Sequence, residues 1–319
     1  MSAIAKPAEP VGVGPPGENR SWLFVPADDE HKIVKALGVG ADAVILDLED
    51  AVSPERRGAA RAIVREVMSE SPGSSEVWVR VNPLDTGETV DDLDAAVGRR
   101  LAGIVLPKIR SAADVVALDR QIEPLEARSG RSPGSVGITV VATETPEMMF
   151  RLGDLAGCSD RLRAVTWGAE DLSAALGAST NKGPDGDWDG PYQLARSLCL
   201  FAAVAAGAQP VDTLFAGFRD EDGLVASTRL ARRQGFTGKI AIHPAQVPII
   251  NEHLIPSVTD VSEAEAVVAA FAARPGVGTV ALDGRMLDRP HLSQAERVLA
   301  RAQRAVARRA GPGVRSNAS

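Results

Sequence analysis

Cysteines, aromatic residues, positive charge and long apolar runs are all scarce here, and each shortage removes a class of protein. Two cysteines in 319 residues, Cys158 and Cys199, cannot build a disulfide framework or a thiolate zinc site. Both lie in apolar segments that read as helical, so they are expected to be buried structural thiols. No stretch is long and apolar enough to span a bilayer. The N-terminus lacks an apolar signal core and reads as a flexible Pro/Gly leader over residues 1–19. These features make the cytoplasm the expected compartment. Lys and Arg number 35 against 42 Asp and Glu, a net charge of -7. Nonspecific nucleic-acid binding needs concentrated positive charge, so neither nucleic acid nor membrane is an expected partner. A local basic pocket for a phosphorylated ligand remains compatible with that balance. Aromatic residues make up 4% of the chain, and the small aliphatic side chains that dominate suit strands covered by helices.

What is present is an alternation. The strand-like segments SWLFVPA, DAVILDLED, VWVRVNP, GIVLPKI, GITVVATET, LRAVTWGAED, PVDTLFAGF and GKIAIHP are separated by helix-like ones. Pro54 opens one helix, Ser111 caps another, and PEMMFRLGDLAG reads as a single helix. About eight β/α units predict the α/β class and a closed (β/α)8 TIM barrel over residues 20–254. A doubly wound open sheet is the alternative, but no G-x-G-x-x-G follows the first strand. Residues 255–319 break the pattern. They read as a C-terminal helical and hairpin extension that either caps the barrel or reaches a neighbouring subunit.

Parallel barrels carry their active sites at the C-terminal ends of the strands. The polar residues expected there are Asp47, Glu49, Asp50, Arg80, Asn82, Lys108, Thr143, Glu144, Glu170, Asp171 and His243. Converging carboxylates repel unless a cation intervenes. Mg2+ commonly takes one or two carboxylates and completes its shell with water and ligand oxygens. Glu144 and Asp171, on adjacent strands, are the expected pair; alternatively both acids simply favour helix N-termini. Arg80 lies in an apolar strand and needs a partner. That partner is either a structural carboxylate such as Glu49 or an anionic, enolate-like substrate oxygen, which a guanidinium binds with two donors. Asp47 and Glu49 are expected to support the site from behind. Lys108 is either a Schiff-base lysine or a counter-charge to the acids. The four histidines show no zinc-ligand spacing, and His243 either shapes its turn or contacts ligand.

With these residues in view, the chain resembles the citrate lyase β-subunit-like proteins, which include malyl-CoA and citramalyl-CoA lyases. The matching segments are RSWLFVPADDEHKIVKAL, DAVILDLEDAV, VWVRVNP, GIVLPKI, ATETP, WGAEDL, GKIAIHPAQV and GRMLD, in the family's order. The resemblance implies a (β/α)8 barrel, homo-oligomers (trimers or hexamers), and Mg2+, with Mn2+ as a substitute, held by Glu144 and Asp171. It implies that Arg80 binds substrate and faces the thioester enolate. It also implies that Asp288, reaching in from a neighbouring subunit, is the general acid/base on the acetyl methyl group. Lys35 matches a family lysine that binds the CoA phosphates; Phe24 stands where some members have tyrosine, and His31 where another lysine occurs. The implied reaction is cleavage or formation of a 3-hydroxyacyl-CoA, giving acetyl-CoA or a short acyl-CoA plus a 2-oxo acid. Two other functions fit the chain: an aldolase acting on free 2-oxo acids without CoA, and a catalytically silent CoA- or metabolite-binding protein. The intact set Arg80, Glu144, Asp171 and Asp288 favours the lyase.

Overall fold

The computed structural model describes residues 18–309 apart from 71, 72 and 185. Most of the leader expected over 1–19 therefore lies outside the described residues. The strands β1 (Ser21–Pro26), β2 (Ala43–Asp47), β3 (Glu76–Arg80), β4 (Leu101–Leu106), β5 (Gly137–Val141), β6 (Leu162–Thr166), β7 (Gln209–Asp212) and β8 (Gly238–Ala241) form one closed parallel barrel. Closure is made by β1, which pairs with β2 and, through Trp22↔Ile240, with β8. The alternation therefore ends in the TIM barrel and not in the open sheet.

The covering helices are α1 (Glu30–Gly38), α2 (Arg57–Ser69), α3 (Thr89–Ala96), α4 (Ala112–Arg128), α5 (Pro146–Met149), α6 (Glu170–Leu176), α7 (Gly190–Ala205), α8 (Glu221–Gln234) and α9 (Gln246–His253). Their starts follow from local chemistry. Asp29 caps α1 by accepting from Lys32 N at 3.0 Å, and Ser111 with Asp114 forms a capping box on α4. Pro54 opens a 3-10 turn, Pro54–Arg56, that feeds α2. One expected helix is broken. PEMMFRLGDLAG forms only the single turn of α5 followed by a 3-10 turn, Leu152–Leu155. Arg151 leaves the helical region at φ -130°, ψ 8°. Leu152 and Leu155, both buried, then share a face at the three-residue spacing of a 3-10 turn.

Strand alternation sorts side chains into two layers. Trp22, Ile45, Trp78, Val105, Val141, Ala164, Val211 and Ile240 fill the barrel interior. Leu23, Val44, Leu46, Val79, Ile104, Val140 and Val165 point outward under the helices. Trp22 and Trp78 lie with ring centroids 5.0 Å apart and floor the barrel. Glycine makes room for them: a Cβ on Gly103 would stand 2.2 Å from the Trp78 ring. Two residues beyond Trp78 on the same face is Arg80, in register with Asp47. The interior thus changes from aromatic to ionic within one step of the alternation.

A second compact unit starts at Ile255. It contains α10 (Val258–Ala272), the antiparallel hairpin of β9 (Thr279–Leu282) and β10 (Arg285–Asp288), and α11 (Arg289–Arg309). The hairpin loop is Asp283–Gly284 with φ of 49° and 74°, the two positive angles of a type I′ turn, which Asp-Gly favours. Phe271, Val280 and Leu287 form its small core.

Candidate active site

Arg80 closes β3 with its guanidinium fixed on two sides. Nε donates to Asp47 Oδ1 at 2.7 Å and Nη2 to Asp47 Oδ2 at 2.6 Å. Nη1 lies 2.9 Å from Glu49 Oε2, out of line for a hydrogen bond, so this buried oxygen has none. Phe24 flanks the group, its ring centroid 4.8 Å from Cζ. Burial works against the Arg80 charge, but the ion pairs with Asp47 and Glu49 outweigh it and hold the pKa above the ordinary arginine value. Asp47 also accepts from Glu49 N at 3.0 Å and Ala51 N at 3.2 Å, which fixes the loop after β2. The two supporting acids expected from the sequence therefore both touch Arg80. Glu49 keeps a raised pKa, because its burial exceeds what Arg80 and Lys108 return.

Lys108, just past β4, connects this group to the metal candidates. Its backbone N–H donates to Glu144 Oε2 at 2.7 Å. Its Nζ lies 2.6 Å from Glu49 Oε1, 3.1 Å from Asp50 Oδ1 and 3.4 Å from Asp171 Oδ1. The residue adopts φ 51°, a left-handed conformation that costs a non-glycine residue energy. Burial works to lower the Lys108 pKa, but the Glu49 hydrogen bond and the charges of Glu49 and Asp171 reverse this. Schiff-base chemistry needs a neutral amine, so the arrangement favours the counter-charge role.

Glu144 is buried, with 5% of its surface exposed. Burial first, then the charges of Asp171 and Glu49, push its pKa up to about 8 against the opposing Lys108 N–H and Arg80. Asp171 lies in the first turn of α6, half-buried. A Cβ on Gly168 would come within 3.0 Å of Glu144 Cγ and 3.1 Å of Oε1, so WGAEDL needs glycine there to leave the carboxylate its place. Two hard-oxygen donors close enough for the Asp171 charge to act on Glu144 suit Mg2+, which commonly uses only one or two carboxylates. Among the described residues, no group of three or more His, Cys, Asp or Glu is arranged to hold a metal. A divalent cation between Glu144 and Asp171 would reverse the penalty that the Asp171 charge imposes on Glu144.

Other residues expected at the mouth have structural partners. Asn82 donates to Leu48 O at 3.0 Å and Asp92 Oδ2 at 2.8 Å. Thr143 Oγ1 bridges Gly168 N and O at 3.2 and 3.3 Å. Glu170 is exposed. His243 lies 5.2 Å from Phe218, ring to ring, and accepts from Ala245 N at 3.2 Å, which shapes the turn after β8. Lys35 is exposed on α1, and no ion pair joins it to the cluster. Asp288 is exposed in the second unit, with Oδ1 2.5 Å from His291 Nδ1. Of the two thiols, Cys199 is buried in α7 and its pKa is raised by that burial. Cys158 is half-buried in a bend, not in the helix expected.

The sequence reading missed an ionic group at β7 and β8. Asp212 Oδ2 lies 3.0 Å from Lys239 Nζ, and its Oδ1 accepts from Arg196 Nε and Trp167 Nε1, both at 2.8 Å. Burial would raise the Asp212 pKa, but Lys239 and Arg196 bring it down to about 2. These side chains lie under α7, outside the barrel lumen. The available signal was strand alternation, which puts Lys239 opposite the inward-facing Ile240.

A model of the HpcH/HpaI aldolase/citrate lyase family matches residues 20–244. A second, of C–C bond lyases of the TIM-barrel fold, matches residues 200–305. The chain is 35% identical over 287 residues to citrate lyase subunit beta of Escherichia coli K12, covering 89% of this chain and 93% of that protein. It is 34% identical over 323 residues to L-malyl-CoA/beta-methylmalyl-CoA lyase of Cereibacter sphaeroides, covering 95% and 99%. The crystal structure of CitE from Mycobacterium tuberculosis with magnesium, acetoacetate and coenzyme A superposes with a TM-score of 0.74 at 34% identity, covering 89% of this chain and 97% of that one.

Proposed function

The chain belongs to the HpcH/HpaI aldolase/citrate lyase family, and from that premise we propose that it is a Mg2+-dependent carbon–carbon lyase acting on a CoA thioester. Its substrate is a 3-hydroxyacyl-CoA, and its products are acetyl-CoA or a short acyl-CoA plus a 2-oxo acid. The observation that carries this reading is the meeting of Glu144 and Asp171 on one residue, Lys108, through its backbone N–H at 2.7 Å and its Nζ at 3.4 Å. Relatives with magnesium and coenzyme A support it, as does a C. sphaeroides relative named (3S)-malyl-CoA thioesterase, 35% identical over 289 residues.

Glu144 and Asp171 would hold Mg2+, with Mn2+ as a substitute. The ion supplies Lewis-acid stabilisation of the substrate's carboxylate and hydroxyl oxygens and fixes their geometry. Arg80, already oriented by Asp47 and Glu49, opposes charge developing on the thioester oxygen when the carbon–carbon bond breaks and its electrons pass to the acyl fragment. Phe24 flanks that guanidinium and lines the acyl position. Asp288 of a neighbouring subunit returns a proton to the acyl carbon as the enolate collapses. Lys35 meets the CoA phosphates. The enzyme works as a trimer or hexamer in the cytoplasm; its two unpaired thiols suit a reducing compartment.

A mass-spectrometric screen of malyl-, methylmalyl-, citramalyl- and citryl-CoA, with and without Mg2+, tests the proposal. Cleavage of at least one thioester only with Mg2+ is expected. Cleavage of a free hydroxy acid but of no thioester would replace it with the CoA-independent aldolase.

A further inference from the structure

The acid proposed to work on the neighbouring subunit has a partner of its own. Leu287 packs with Phe271 and Val280, so strand alternation turns Asp288 to the outer face of the hairpin. Helix α11 starts at the next residue, a place where an aspartate ordinarily accepts a backbone N–H of the first turn. Among the described residues this carboxylate accepts none, and no Lys or Arg pairs with it. Its Oδ1 instead faces His291 Nδ1 at 2.5 Å. The Asp288 N–H donates to the same Nδ1 at 3.2 Å. Pro290, with its fixed φ, separates the two residues, and Leu292 anchors the turn against the hairpin core. The His291 side chain is 42% exposed, so its ring is in contact with water.

An oxygen and a ring nitrogen this close hold a proton between them, because two bare lone pairs repel. A neutral imidazole has one donor and one acceptor nitrogen. The Asp288 N–H aims at Nδ1, which makes Nδ1 the acceptor and Nε2 the donor. The shared proton is thereby left on Oδ1, as the carboxylic acid that cleavage needs.

We propose that His291 is the proton partner of Asp288 and reloads it after each turnover. The inference rests on the general-acid role proposed above for Asp288. When the carbon–carbon bond breaks, the carboxyl proton goes to the acyl carbon and leaves a carboxylate. His291 takes a proton from water and, as imidazolium, passes the Nδ1 proton to Oδ1. The substrate hydroxyl releases one proton as its carbonyl forms, so none is gained or lost overall. His291 acts only through Asp288 and is a positioning residue.

Steady-state cleavage by the full chain with Mg2+ tests this, on whichever of malyl-, methylmalyl-, citramalyl- and citryl-CoA wild type turns over. His291→Asn keeps a hydrogen-bonding group beside Asp288 but carries no transferable proton. It and His291→Ala are expected to lose at least about 10-fold in kcat, with KM within about 3-fold of wild type. Added imidazole is expected to restore His291→Ala. A smaller loss in His291→Asn would mean that the ring only caps α11, and no recovery of His291→Ala at saturating imidazole would remove the proton transfer; either result overturns the proposal. Wild-type turnover by Asp288→Ala would instead sink the general-acid role beneath it, and wild type that cleaves none of the four thioesters would sink the lyase reading itself.

Discussion

The two ends of the barrel interior are built on opposite principles. At the floor, Trp22 and Trp78 fill the lumen at 1% and 3% exposure and meet glycine. At the mouth, one alternation step further along the same strands, Arg80 and Asp47 begin a run of charges that continues through Glu49 and Lys108 to Glu144. The floor is saturated: the Trp22 indole N–H donates to Asn19 O at 3.0 Å and Trp78 to Glu76 at 3.1 Å. The mouth is not, since Glu49 lacks a hydrogen bond on Oε2 and Glu144 resists ionisation. The comparison teaches that this barrel separates stability from chemistry along its axis, as parallel barrels generally do.

The sharpest way to break that contrast is to crowd the floor. A Cβ on Gly103 would sit 2.2 Å from Trp78 and 2.5 Å from Gly137 O. Gly103→Ala is therefore expected to cost at least about 3 kcal/mol, read by denaturant unfolding, with a shift of less than 1 kcal/mol contradicting the packing account. At the mouth the effect should appear in activity. Arg80→Lys loses the two-donor grip on Asp47 and is expected to lower kcat/KM by about 10²–10³-fold. A loss matched entirely by unfolding would mean that Arg80 only holds the fold.

Next in size is a pH effect. The Glu144 pKa rises from 4.5 to about 8 in the folded chain, so the folded state binds the proton more tightly than the unfolded one. The contribution of Glu144 to the stability of the metal-free protein is then greatest below 4.5, falls as pH rises through that interval, and levels off above about 8. Glu144→Gln should remove that slope in thermal melts and be the more stable protein at pH 8; parallel melting curves would contradict this. The smallest effect belongs to His243→Ala, expected within about 0.5 kcal/mol of wild type and within a few-fold in rate, because the ring serves its own turn. A large rate loss would move His243 into the site.

The barrel was legible because apolar strands and capped helices alternate, and the strand ends then pointed to Arg80, Glu144 and Asp171. What escaped was orientation within an element. Asn82 and Thr143 stand at strand ends like Glu144, yet they turn into backbone hydrogen bonds, and composition does not separate the two cases. Asp212 ends β7 but faces α7. The positive φ of Lys108 has no residue signature, since glycine or asparagine is the usual sign of that conformation. The helix after β5 broke because apolar spacing at 152 and 155 fits both a helix and a 3-10 turn, and burial selected the turn. In the second unit the Asp-Gly pair made the hairpin readable.

The account's central claim is that Glu144 and Asp171 share one divalent cation. Anomalous scattering from crystals grown with Mn2+ tests it most directly. One peak is expected about 2.0–2.2 Å from a carboxylate oxygen of each residue, near the Mg2+ bond length Mn2+ would mimic, and absent in Glu144→Ala. A peak that touches neither carboxylate, or none at saturating Mn2+ with a 2-oxo acid bound, would contradict it.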